Sequence, residues 1–520
     1  IKAAAGLKLS IYTDDYFAAG NKDYATVRDE YITKEGVQEF EFLGWMNGHA
    51  VHYQFPAGVE IISLKYRESG YKLNQDGSFL CNEEFFNKLW SKAQRTLYVN
   101  MRDTYFDCPD RERAAWIADV VNEIGQSAYA FDTAYQALAK KCLQEFVNWQ
   151  KDDFVLHSPV PAGDRSNDEN LGSWGKELPH QVLNTISPYG VWNYYIYSGD
   201  KNIIAITYPR FKNYLSLYKL NEDFTVVHRT GAWDWGDWGS HIDFPLLDNA
   251  WYIMALDGMA KMADYLKLAD EAAAYRKTIE QMKQAFNKKF WNGSQYRSPE
   301  FTGETDDRGN ALAVLSGCAD SSKYKHVKQI LVSKMHASPN MEKYVLEALY
   351  KMNYPEAALD RMKKRYKNMV DTSLTTLWEL FVLDQYATYN HAWAGGPLTL
   401  LSQYGAGVSP VEPAYNAWSV KPQPGYLKEI KTTTITPKGK VEVAVKNTGS
   451  TFEVNIHAPE KLTGYVSIPS FEGRKIMANG QLIWEMGKSK LKTREIGYHS
   501  SDQHFITFKV TGSKWNFRSY

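Results

Sequence analysis

The sequence predicts a mainly α-helical chain with β appendages at both ends. Three observations carry this reading. Between about residues 82 and 418, apolar residues recur at helical spacing in one segment after another. Before that zone, Val51-His-Tyr-Gln-Phe and Val59-Glu-Ile-Ile-Ser-Leu-Lys-Tyr are short β-branched and aromatic runs separated by Pro56-Ala-Gly. After it, Lys440-Val-Glu-Val-Ala-Val and Thr451-Phe-Glu-Val-Asn-Ile alternate apolar and polar residues, as half-buried strands do.

Taken in order, residues 1–81 read as the end of an N-terminal β-sandwich region, truncated at Ile1. Residues 82–418 form the helical unit. Glu83 to Tyr98 carries Phe86, Leu89, Trp90, Ala93 and Leu97 on one side. Pro109 suits a first helical position, which predicts a helix running from there toward Phe131. Its apolar stripe would be Ala114, Ile117, Val121, Ile124 and Ala128; Glu112, Trp116, Asp119, Glu123 and Gln126 would share another face. A helix over 250–268 is followed by one reaching Phe290, with Asp270 as its N-cap. Segments 344–351 and 355–366 make a further pair. Helix pairs of this kind bury their apolar faces either in a closed ring or in an open solenoid. The long stretches 152–180 and 222–248 read as functional loops. Residues 419–520 form a C-terminal β-sandwich, with Asn479-Gly480 as a hairpin turn.

Composition narrows the function. The chain has 520 residues, and its 60 Lys and Arg balance its 60 Asp and Glu. That balance supplies no pull toward nucleic acid or an anionic membrane, and neither is expected as a partner. No apolar run is long enough to span a bilayer. The cysteines Cys81, Cys108, Cys142 and Cys318 are scattered, and no His-Glu-x-x-His occurs, so no metal and no cofactor is expected. Aromatics reach 14%, with 16 Trp and 35 Tyr. Flat rings of that kind stack on sugars and equally fill helical cores. Oligomeric state is left open, and so is the compartment.

The chemistry concentrates in Asp107-Cys-Pro-Asp-Arg-Glu112-Arg-Ala-Ala-Trp116-Ile-Ala-Asp119. Charges this dense on a helix usually form a solvated face. A tryptophan among the carboxylates points instead to something bound there. The segment resembles glycoside hydrolase family 78, the α-L-rhamnosidases, and the likeness continues in order along the chain. Gly231-Ala-Trp-Asp-Trp-Gly-Asp-Trp-Gly, Thr375-Thr-Leu-Trp-Glu379, Asn390-His391-Ala-Trp-Ala-Gly-Gly, Gly407-Val-Ser-Pro and Val420-Lys-Pro-Gln-Pro each resemble a family segment. Two departures stand out: many members have an extra Asp between Arg111 and Glu112, and the loop around Trp174 differs from the commoner pattern.

The resemblance implies an (α/α)6 barrel, a carbohydrate substrate and inversion at the anomeric carbon. Glu112 would be the general acid and Glu379 the general base. Asp107, Arg111, Trp116, Asp119 and His391 would hold the sugar, and Trp174, Trp235 and Trp238 would wall its pocket. Inverting chemistry sets the two carboxyls about 6.5–9.5 Å apart, on opposite faces of the sugar. The acid must also stay protonated near neutral pH, while a helix N-terminus at Glu112 and flanking arginines would favour its anion. Two rivals remain at this level: a lapsed enzyme that only binds glycans, and an (α/α)6 polysaccharide lyase.

Overall fold

The computed structural model describes residues 1–13, 28–46, 48, 50–109, 112–160, 177–382, 387–470, 475–490 and 494–520. Between Glu84 and Asp371, twelve α-helices of eight residues or more are described. They are α1 (Glu84–Val99), α2 (Ile117–Ala130), α3 (Tyr135–Asn148), α4 (Pro179–Ile186), α5 (Val191–Ser198), α6 (Lys201–Leu215), α7 (Phe244–Tyr265), α8 (Ala269–Phe290), α9 (Asp307–Leu315), α10 (Tyr324–Ser333), α11 (Pro339–Lys351) and α12 (Pro355–Asp371). A 3₁₀ turn (Ala392–Gly395) leads into the short α13 (Gly396–Leu400).

Helix α2 packs on α4, α4 on α7, α7 on α9, α9 on α11, α11 on α13, and α13 back on α2. The ring is closed, which excludes the open solenoid. Burial separates its two layers. Every residue of α2 and α4 is buried, as are Asp307–Val314 and Pro339–Tyr350. Outer helices bury one side only: α1 buries Phe86, Leu89, Trp90, Ala93 and Leu97, the face read from the sequence. The fold is thus an (α/α)6 barrel with a C-terminal β-sandwich.

The helix expected from Pro109 begins only at Ile117. Residues 107–109 and 112–116 lie outside the helix because Asp107 pairs with Ala114. Its amide donates to Ala114 O at 3.0 Å, and its Oδ1 accepts the Ala114 amide at 2.9 Å. Arg113 then takes a positive φ of 50° and lays its guanidinium on Trp45, 3.6 Å from the ring centroid. The Ile117 amide, orphaned at the helix start, is capped by Ser158 Oγ at 3.0 Å. The expected apolar and polar stripes also give way, since α2 is buried on all sides.

Other elements differ in smaller ways. Asp270 lies inside the first turn of α8, where it complements the helix dipole without capping it. Val51–Gln54 is a strand, but residues 59–66 are not; Glu60 alone bridges to Lys2.

Among the described residues four sheets lie outside the ring: a pair of strands (Lys2–Ala3 and Gly36–Val37), a three-stranded sheet (Arg28–Ile32, Lys8–Thr13 and Val51–Gln54) and two larger ones. Of the larger two, one joins eight strands in the neighbour order 488–489, 481–485, 476–478, 514–519, 452–457, 439–447, 429–436 and 78–81; the other joins 496–501, 505–511, 463–469, 417–420 and 408–410. Strand Ser78–Cys81, from before the helices, thereby stitches the two ends of the chain together. Gly77 allows this approach: a Cβ there would fall 1.9 Å from Tyr129 O at the end of α2. At the predicted hairpin, Ala478 pairs with Gln481. Asn479 and Gly480 both take positive φ, at 46° and 80°, as a two-residue turn of that type requires. No helix among the described residues is long and apolar enough to cross a membrane.

Candidate active site

Residues 107–109 and 112–116 lead into α2, residues 231–243 into α7 and residues 387–395 into α13, three of the ring helices. Those segments carry Asp107, Glu112, Trp116, Trp235, Trp238 and His391, and Asp119 stands in the first turn of α2. Segments 376–379 and 388–391 run back to back before α13. The Glu379 amide donates to Thr388 O, and the His391 amide to Leu377 O, each at 3.0 Å. This pairing sets the side chains of Glu379 and His391 together. Glu379 Oε2 accepts from the Thr388 amide at 2.8 Å and from its hydroxyl at 3.2 Å.

His391 is the hub. Its Nε2 lies 2.9 Å from Asp119 Oδ1, a residue 272 positions away in sequence. Its Nδ1 lies 3.3 Å from Thr388 Oγ1 and 3.8 Å from Glu379 Oε2. The Ala392 amide donates to Asp107 O at 3.3 Å, which holds Asp107 against the same cluster. On the near side of α2, Trp116 Nε1 donates to Glu112 Oε2 at 2.6 Å. Glu112 and Trp116 are half-buried, whereas Asp107, Asp119, Glu379 and His391 are buried. The Glu112–Trp116 pair therefore forms without the helix expected around it. Glu112 stands five positions before the first residue of α2, and the dipole effect fades within a turn.

Burial shapes the electrostatics. The carboxyl of Asp107 is pushed well above the usual range by burial, then by Glu112 and Asp119. Asp119 is pushed up by burial, then by Glu112 and Glu379, which puts it within electrostatic reach of both glutamates. Glu123, one turn further along α2, is raised by burial and then by Asp119 and Asp107. Neither Glu123 oxygen has a hydrogen-bond partner among the described residues. The sequence placed Glu123 in helical register with Asp119 but gave it no role.

A second loop approaches from the start of α7. Trp233 meets Trp116 edge to face, with centroids 6.4 Å apart. Trp235 is buried and Trp238 is 55% exposed. Trp233 was not singled out from the sequence, although it lies in the same tryptophan-rich segment; only the loop's path distinguishes it. Asp237 anchors that loop, accepting from the Ser338 amide at 2.7 Å and from Arg308 Nη1 at 3.0 Å. Arg111 and Trp174 lie outside the described residues.

Asp107, Cys108 and His391 each offer one ligand atom within 4.8 Å of the others, a spacing that could hold a soft metal ion. Hydrogen bonds already engage much of that donor set. Both His391 nitrogens face Asp119 and Thr388, and Cys108 bonds to Asp107.

Residues 74–404 match the model of the bacterial α-L-rhamnosidase six-hairpin glycosidase domain, and residues 407–482 match the bacterial α-L-rhamnosidase C-terminal domain. The chain belongs to this rhamnosidase family. The resemblance read from the ordered motifs is thereby borne out, and segments 107–119, 231–239 and 375–395 all fall inside the matched six-hairpin domain.

An α-L-rhamnosidase of Formosa agariphila is 21% identical over 511 residues, covering 91% of this chain and 52% of its own length. An α-L-rhamnosidase of an Alteromonas species is 22% identical, covering 87% of this chain and 51% of its own. The chain thus spans about half the length of these curated relatives. The α-L-rhamnosidase from Dictyoglumus thermophilum superposes with a TM-score of 0.81 at 22% identity, over 100% of this chain and 60% of that one. The Streptomyces avermitilis α-L-rhamnosidase complexed with L-rhamnose superposes with a TM-score of 0.77 at 17% identity, over 100% of this chain and 50% of that one. At these identities the rhamnosidase structures show the shared fold.

Proposed function

We propose that this chain is an inverting α-L-rhamnosidase in which Glu112 is the general acid and Glu379 the general base. The observation that carries this reading is the convergence on Asp119. Both glutamates act on it electrostatically, and His391 bonds to it from the far end of the helical region. Family membership supports the sugar class.

In this reading Glu112 protonates the leaving oxygen as the glycosidic C–O bond breaks. A water attacks the anomeric carbon from the opposite face and gives its proton to Glu379. Thr388 fixes the orientation of Glu379 through the two bonds to Oε2. Asp107, Arg111, Trp116, Asp119 and His391 bind the sugar, with Trp174, Trp235 and Trp238 as pocket wall. A 6-deoxy sugar presents a methyl group and several hydroxyls, which suits indole faces beside buried acids and an imidazole.

Comparing wild type with Glu112→Gln on rhamnose-bearing oligosaccharides tests the acid. The variant is expected to lose about 10³-fold in kcat, the size of a general-acid contribution. Equal sugar release by both proteins would sink the assignment. A wild-type chain that binds rhamnosides without turning them over would be a glycan-binding protein instead.

A further inference from the structure

We infer that His228 is a positioning residue for this reaction: it clamps the loop that seats Trp233 against Trp116, and through Trp116 it sets the carboxyl of Glu112. The inference rests on the proposed role of Glu112 as acid.

The clamp is built from three elements. His228 Nδ1 lies 2.7 Å from Asp248 Oδ2 on α7, and its Nε2 lies 2.9 Å from Asp234 Oδ1, the neighbour of Trp233. The other oxygen of Asp248 lies 2.6 Å from Nε2 of His180 on α4. Carboxylates accept, so the ring that faces one from each nitrogen is an imidazolium. Phe244 packs against both His180 and His228, and the Arg229–Glu177 ion pair, with Tyr218, stands beside them.

The position of the bond matters more than its strength. The loop is fixed upstream, where the Ala232 amide donates to Glu177 O at 2.8 Å and Arg229 binds Glu177 through both carboxylate oxygens at 2.5 and 2.7 Å. It is fixed downstream by Asp237 on Ser338 and Arg308. Between those anchors stand residues 233–236. Among the described residues, their one side-chain hydrogen bond is Asp234 to His228. Losing it frees Trp233 from Trp116, and Trp116 is the indole that bonds Glu112.

Titration follows the same geometry. The hydrogen bond to Asp248 outweighs burial and, with Asp234, pushes His228 up to about 9 from its ordinary 6.5. Burial alone would raise Asp248, but its bonds to His180 and His228 leave it below the usual carboxylate range. The folded value of His228 exceeds the unfolded one, so the clamp is complete at neutral pH and is released as pH rises through about 9. His228 lines a cavity of about 420 Å³, which gives it access to solvent protons.

The test compares two substrates at pH 6 to 10: an aryl rhamnoside, whose leaving group needs little protonation, and a rhamnosyl disaccharide, whose leaving group needs it fully. His228→Gln is expected to lose about tenfold or more in kcat on the disaccharide and under about threefold on the aryl rhamnoside, with KM within about twofold. Asp234→Ala, which leaves the His228–Asp248 bond in place, is expected to show the same split. The ratio of wild-type to His228→Gln disaccharide turnover should shrink as pH rises through about 9, since every other pH effect acts on both proteins alike. Equal losses on both substrates, a loss confined to KM, or unimpaired disaccharide turnover would each overturn the inference. Glu112→Gln measured alongside separates the two levels. If it cleaves the disaccharide as well as wild type does, the acid assignment fails. If it is inactive there while both clamp variants are unimpaired, the clamp alone is refuted.

Discussion

Glu379→Gln is expected to lose at least about 10³-fold in kcat on aryl rhamnosides and rhamnosyl oligosaccharides alike. The equality across substrates is the informative part. Water must be deprotonated whatever group departs, so the loss of a base does not depend on the leaving group, whereas the loss of an acid does. Glutamine keeps a carbonyl oxygen that can accept from the Thr388 amide and hydroxyl, which now hold Glu379 Oε2 at 2.8 and 3.2 Å. The local fold and KM should therefore stay close to wild type. In Glu379→Ala, azide fits the vacated space and needs no base, so added azide should restore turnover and yield a β-rhamnosyl azide. A Glu379→Gln enzyme within tenfold of wild type, or azide with no effect on the alanine variant, would remove Glu379 from the reaction.

Arg361→Met is expected to have the largest effect on stability. Arg361 is buried, and it binds Glu342 through both carboxylate oxygens at 2.5 and 2.8 Å and Asp307 at 2.6 Å. It also donates to the carbonyls of Leu331 and Lys334. These contacts tie α12 to the starts of α9 and α11, two inner helices. Methionine fills the space but leaves two buried carboxylates without their main counter-charge, a loss of about 3–5 kcal/mol. Adding Glu342→Gln should recover part of this by removing one stranded charge. The check is the urea midpoint of the helical unit followed by far-ultraviolet circular dichroism. A midpoint equal to wild type would contradict this account of the network. Its pH dependence has a defined sign. Burial raises Asp307, but Arg361 and then Arg308 outweigh burial and hold it below the usual 3.8. The stability it contributes is present above that range and is lost as pH falls through the lowered value.

How far the sequence could be read depends on where each determinant lies. Helix α1 was legible because its partners sit at spacings of three and four along its own length, and the Asn479-Gly480 turn was legible because two adjacent residues decide it. The start of α2 was not legible. The groups that settle it are the Asp107 side chain, which competes for the Ala114 amide, and Ser158, which arrives from another segment. Periodicity failed for α2 for a related reason. An inner helix of a closed ring is buried all round, so Asp119, Asn122, Glu123 and Gln126 are as enclosed as its valines.

The site was legible as residue types in order, not as contacts. Asn390-His391-Ala-Trp-Ala-Gly-Gly stood out as a motif, but only packing explains its glycines. A Cβ on Gly395 would fall 1.8 Å from Gln126 Oε1, and one on Gly396 would fall 2.7 Å from Lys343 Cβ, so larger residues would hold α13 away from its neighbours in the ring. That closure brings His391 to Asp119. Trp233 was hidden similarly, since three tryptophans share one loop and only its anchors at Glu177 and Asp237 select the one that reaches Trp116.

Proton NMR of the sugar released from an α-L-rhamnoside in the first minutes of hydrolysis reads the stereochemistry directly. Inversion releases β-L-rhamnose first, with the α-anomer growing in only at the rate of spontaneous mutarotation. Initial release of α-L-rhamnose would mean retention, and would contradict the pairing of Glu112 as acid with Glu379 as base.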